Sequence, residues 1–129
     1  MKPLITFITI LFITLLSSPS WSENLTIDDL VETNGLYYKK FTDVPFTGEV
    51  TGIKSGKFKD GIRDGIWKFY HENGRLGGKG IYINGKREGP WEGYYENGQV
   101  YTKGNYKDGK IEGLLKTYHE NGQLWIKEN

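Results

Sequence analysis

The chain has no cysteine, which excludes a disulfide framework and any thiolate ligand or nucleophile. Beyond residue 22 it has a single serine, Ser55, flanked by Lys54 and Gly56. No histidine and acid are grouped around it as a nucleophilic triad requires. There is no surplus of one charge: 17 Lys and Arg stand against 16 Asp and Glu, for a formal net charge of +1. Nucleic-acid binding rests on phosphate neutralisation, so a chain without a basic cluster is a poor candidate for it. Long apolar runs are also scarce. The one that exists, residues 4–16, is 13 residues long, short of the ~20 a membrane-spanning helix needs.

That run has another reading. Lys2 precedes it, and Ser20-Trp21-Ser22 follows with small residues at positions −3 and −1 of a cut after Ser22. This is the layout of a secretory signal peptide, and it predicts a secreted, periplasmic or cell-envelope protein whose mature chain starts at Glu23. No cysteine follows the run, so a bacterial lipid anchor is excluded.

What the chain does have is glycine and aromatic residues. All 18 glycines and 16 of the 19 aromatics lie beyond residue 22, a composition that predicts short strands and tight turns. They recur with a period. Gly65 opens GIWKFYHENG, Gly89 opens GPWEGYYENG and Gly113 opens GLLKTYHENG, with 12 of 24 positions identical between residues 65–88 and 89–112. A fixed period in this range marks stacked units, none of which buries its apolar face alone. The expected organisation is a signal peptide at 1–22 and a leader with a hairpin at 23–40. A degenerate repeat at 41–64 and repeats at 65–88 and 89–112 follow, then a truncated terminal repeat at 113–129.

Within each unit the expected order is a strand (about 66–71), a turn at Glu72-Asn73-Gly74, a second strand (about 75–83) and a turn at Asn84-Gly85. Residues 86–89 then lead into the next unit. Asn73, Gly74, Gly85, Asn97, Gly98, Gly109, Asn121 and Gly122 are therefore the turn-forming residues, since Asn-Gly and Asp-Gly supply the positive φ such turns need. The turn at 72–74 fits a two-residue loop or a three-residue loop with Gly74 left-handed, and the two differ by one residue of register. Tyr70 breaks the alternation set by Trp67 and Phe69, which predicts a bulge or a twist nearby. Asn34-Gly35 predicts an earlier hairpin, and Pro45 a position before a strand rather than inside one. Thr26 with Asp29 resembles a weak capping box, but no helical period follows, so residues 23–29 read as a leader or a single turn. The fold class is all-β: an elongated, single-layer antiparallel sheet of about nine strands with a 24-residue period.

The pattern G-x-W-x-x-Y-x-E-N-G-x-L, followed by Y-x-D/N-G-K-x-E-G, resembles the MORN repeat variant, in the form found in YwqK-type bacterial proteins labelled antitoxins of toxin–antitoxin systems. Leu36-Tyr37-Tyr38 and Pro45-Phe46-Thr47-Gly48 are similar to the lead-in of such proteins. The resemblance covers residues 30–129. It implies a sheet of β-hairpins, a role in protein or membrane contacts, and an antitoxin-like or immunity-like use.

Chemistry is not expected. His71 and His119 are equivalent positions two units apart, hence roughly 20 Å from each other at ~4.8 Å per strand, and Glu72, Glu96 and Glu120 stand ~10 Å apart on the same reasoning. Metal ligands and catalytic carboxylates must converge more closely than that. Gly77-Gly78-Lys79-Gly80 lies mid-strand, with no following helix to hold phosphate. The expectation is a non-catalytic chain with no cofactor, no metal and no small-molecule substrate. Its aromatic ladders serve either as the core of a thin sheet or as a contact surface. Trp67, Tyr70, Trp91, Tyr94 and Tyr118 are the candidate partner-binding residues, with another protein as partner. The alternative is a membrane or envelope surface met by the lysine row 79, 103 and 127, which runs parallel to an acidic row at 64, 88 and 112.

Overall fold

The computed structural model describes residues 23–128. The signal peptide expected at 1–22 lies outside the described residues. A 3₁₀ turn (Ile27–Asp29) comes first, with the Thr26–Asp29 capping box formed. Eleven strands follow: β1 (Leu30–Thr33), β2 (Leu36–Lys39), β3 (Gly48–Val50), β4 (Lys54–Lys59), β5 (Ile62–Tyr70), β6 (Leu76–Ile83), β7 (Lys86–Tyr94), β8 (Val100–Lys107), β9 (Lys110–Ile111), β10 (Leu115–Tyr118) and β11 (Leu124–Glu128). Strands β1 and β2 pair as a separate hairpin, and β3 to β11 make one antiparallel nine-stranded sheet in chain order, with β9 paired to β8 at its side.

The turns explain the meander. Asn34-Gly35, Asp60-Gly61, Asn84-Gly85 and Asp108-Gly109 all have both residues at positive φ, for example 51° and 78° at Asn84 and Gly85, the geometry of a two-residue type I′ hairpin. The other turn of each unit is the three-residue kind. His71 N donates to the Arg75 carbonyl (2.8 Å) and Gly74 N to the His71 carbonyl (2.9 Å), with Gly74 at φ 84°. Asn73 Oδ1 accepts from Arg75 N at 2.9 Å, and Asn97 and Asn121 repeat the contact with Gln99 and Gln123.

Two irregularities recur with the period. Register shifts fall between Phe69 and Tyr70, Gly93 and Tyr94, and Thr117 and Tyr118, as the broken alternation predicts. The second kind corrects the sequence reading. Residues 86–89 belong to β7, a nine-residue strand, and β5 likewise begins at Ile62. Gly65 and Gly89 sit inside these strands at φ 79° and 75°, where the partner strand slips register across Gly56 and Gly80. The bulge turns the following tryptophan onto a neighbouring glycine. A Cβ on Gly56 would lie 2.4 Å from the Trp67 ring, and one on Gly80 2.2 Å from the Trp91 ring. In the third unit Leu115 stands at the tryptophan position over Gly104, and the long first strand is divided into β9 and β10.

The buried cluster lies at one end of the sheet. Leu30, Val50, Phe58, Trp67 and Tyr82 form it, with Leu25, Ile27, Tyr37, Phe46, Phe69 and Trp91 packed at its margin. The leader reaches it by folding back. Tyr37 N donates to the Gly61 carbonyl, Gly61 N to the Phe46 carbonyl and Phe46 N to the Tyr37 carbonyl, all within 2.9 Å. Thr51 N donates to the Leu25 carbonyl at 2.9 Å, so the leader also covers the β3 edge.

Candidate functional site

Register assigns the candidate aromatics to two faces. Side chains directly opposite in an antiparallel pair share a face. Trp67 lies opposite Gly80, and Trp91 opposite Gly104. Glu92, one residue along β7 from Trp91, therefore points to the other side. Tyr94 donates to a Glu92 carboxylate oxygen, and Tyr118 lines a shallow hollow with Glu92, Lys103 and Lys116. Tyr70 holds the equivalent place after its own bulge. The five residues named from sequence thus do not make one surface.

On the tryptophan face the rings form a continuous row. Centroids are 5.0 Å apart for Phe58–Trp67, 6.2 Å for Trp67–Phe69, 5.6 Å for Phe69–Trp91 and 6.3 Å for Trp91–Tyr106. Trp67 is 0% exposed, and its Nε1–H donates to the Lys57 carbonyl at 3.1 Å. It is core and offers a partner no surface, because Tyr37 of the leader and Phe46 of the degenerate repeat pack on Phe58 beside it, at 4.8 and 5.8 Å. Trp91 is only half-buried, and no such cover reaches it among the described residues.

Two arginines absent from the sequence-derived candidates sit in this row. The Arg63 guanidinium lies over Trp67 (4.8 Å), Tyr82 (5.4 Å) and Tyr37 (5.6 Å). Arg87 lies over Trp91 at 3.8 Å and Tyr106 at 5.2 Å. Arg87 also donates from Nε to the Tyr82 hydroxyl (3.3 Å) and from Nη1 to the Tyr106 hydroxyl (3.2 Å). Burial opposes its charge, and the two phenolic acceptors more than offset that, so its pKa is raised. The signal was present: Arg63 and Arg87 are 24 residues apart, and Ile111 ends the series.

On the opposite face Glu92 is the hub. It lies 3.7 Å from Lys79 Nζ and 3.5 Å from Lys103 Nζ. The bond from Tyr94 holds its carboxyl below the usual range against a smaller opposing effect of burial, and the two lysines assist. Burial, then the bond to Glu92, pushes the Tyr94 hydroxyl up to about 12. His71 and His119 remain in separate units. His71 Nε2 donates to the Tyr94 carbonyl at 2.8 Å, whereas His119 stacks on Trp125 at 5.5 Å. Among the described residues no three His, Asp or Glu side chains gather where they could hold a metal ion.

Fold and site together define a class: an open β-hairpin repeat array whose side chains form rows instead of a cleft. The family model described as MORN repeat variant matches residues 63–84, 87–108 and 111–129, so the chain carries this repeat three times. MORN repeats occur in repeat scaffold and binding proteins. No curated protein matches the chain.

Proposed function

We propose that the chain is a non-catalytic scaffold that binds another protein through the uncovered part of its tryptophan face. One observation carries this reading. The aromatic row continues past the leader, so that Trp91, Tyr106 and Leu115 stay half-buried with their apolar surface facing water. Exposed apolar surface of this kind marks contact sites, and tryptophan and tyrosine with a stacked arginine are the residue types that dominate protein interfaces. The same reading takes the protein as exported after removal of residues 1–22, with an immunity-like use, neutralising a partner by binding it.

The test is affinity capture from the native cell envelope with wild type and Trp91→Leu, a change already present at the equivalent Leu115. A partner recovered by wild type and lost by the variant supports the reading. Equal recovery by both would refute it. Amino-terminal sequencing of the exported form should begin at Glu23.

A further inference from the structure

We propose that the face opposite Trp91 binds a linear acidic polysaccharide of the polyuronate class, laid across the strands. Strand register sets the cations in single file. Lys68 faces Lys79, Lys79 faces Glu92, Glu92 faces Lys103, Lys103 faces Lys116 and Lys116 faces Lys127. The row crosses β5, β6, β7, β8, β10 and β11 and holds five lysines and one glutamate, against a net charge of +1 for the whole chain.

Three of these neighbouring pairs set lysine directly against lysine, which weakens a sheet. The register is kept all the same. Among the described residues only Lys79 and Lys103 of this row have an acid within ion-pair distance, and both share Glu92. The row places a lysine on five of its six strands, with Glu92 on β7 between Lys79 and Lys103, at a spacing of ~4.8 Å per strand. A polyuronate carries one carboxylate per sugar, so an extended chain laid along the row sets carboxylates beside the lysines on either side of Glu92. Tyr94 and Tyr118 flank the line and offer rings to the sugars.

The rest of the face selects a narrow ligand over a broad one. Asp64 lies opposite Lys57 and Glu88 opposite Ile81, and Glu112 accepts a hydrogen bond from Asn105 on the same side. These acids form a second line parallel to the lysines. An anionic bilayer presses its headgroups against both lines, and the acids repel it. A single polymer chain touches the lysine line alone.

The probe is sodium polygalacturonate and its oligomers, titrated calorimetrically into the full protein. Binding should weaken as salt is raised. It should tighten with oligomer length until the oligomer spans six strands, then level off. The double substitution Lys103→Glu, Lys116→Glu should weaken it at least tenfold with the circular dichroism spectrum unchanged, and Glu92→Gln should tighten it. No binding, equal binding of polyglutamate of the same charge, or binding only to phosphatidylglycerol-containing vesicles would each overturn the proposal. The protein-binding reading uses the other face and is tested by a different substitution, so either can fail alone.

Discussion

The two arginine–tryptophan pairs have nearly the same sequence setting and different surroundings. Around Arg63 and Trp67 the leader supplies Tyr37 and closes the face. Around Arg87 and Trp91 the same sheet geometry recurs, and the face stays open. The polar details also differ. Arg87 Nε bonds the Tyr82 hydroxyl, whereas Arg63 Nε is buried without a partner, because the matching position is Phe58. The repeat therefore specifies a site for a ring and a guanidinium. Whether that site becomes core or surface depends on what lies over it.

The comparison can be broken most forcefully at the tryptophans. Trp67→Ala should lower unfolding free energy by ~3–5 kcal/mol, as for a buried aromatic. Trp91→Ala should lose roughly half as much, since only part of its ring is withdrawn from water. Urea denaturation with matched slopes measures both; equal losses would contradict the division into closed and open halves. A second pair of changes sharpens the polar difference. Phe58→Tyr should gain ~1 kcal/mol by giving Arg63 Nε an acceptor, and Tyr82→Phe should lose ~1 kcal/mol by removing the one Arg87 uses. A Phe58→Tyr protein less stable than wild type would mean that the closed half has no room for the hydroxyl.

The smallest effect concerns pH and is sought in the open half, at Tyr94 and Glu92. Tyr94 keeps its proton longer in the folded state, so its contribution to stability is lost as pH climbs from 10 toward 12. Glu92 has a depressed pKa, so its contribution is present above the ordinary carboxylate range and fades as pH falls through the depressed value. Both groups are partly exposed, and screening keeps the two effects small. Tyrosinate absorbance should show late-titrating tyrosines, Tyr94 among them with Tyr37 and Tyr95, whose hydroxyls burial also raises, and Tyr94→Phe should remove one.

Local chemistry made much of this fold legible in advance. Asn84-Gly85 and its copies declare their hairpins because few other dipeptides accept two positive φ values. Tyr70 announces the bulge by breaking a two-residue period. The choice between two- and three-residue turns at Gly74 was open, because either suits Asn-Gly, and only the His71–Arg75 pairing decides it. What stayed hidden depends on long-range register. Residues 86–89 resemble a polar connector, yet Arg87 is held in the strand by Trp91, Tyr82 and Tyr106. The lysine row is visible in the sequence only as 79, 103 and 127, since Lys68 and Lys116 come from the other arm of each hairpin. The burial of Trp67 rests on the leader's return across the sheet, which no 24-residue period encodes.

The turn ladder has a mechanical consequence. His71 reaches the Tyr94 carbonyl and Tyr95 the Tyr118 carbonyl, while Asn73 and Asn97 reach the Glu96 and Glu120 carbonyls. Every such tie runs from one unit to the unit after it, so the loops are laced in one direction. The β11 end has neither a following unit to tie to nor a leader over it among the described residues, so fraying under tension should begin there.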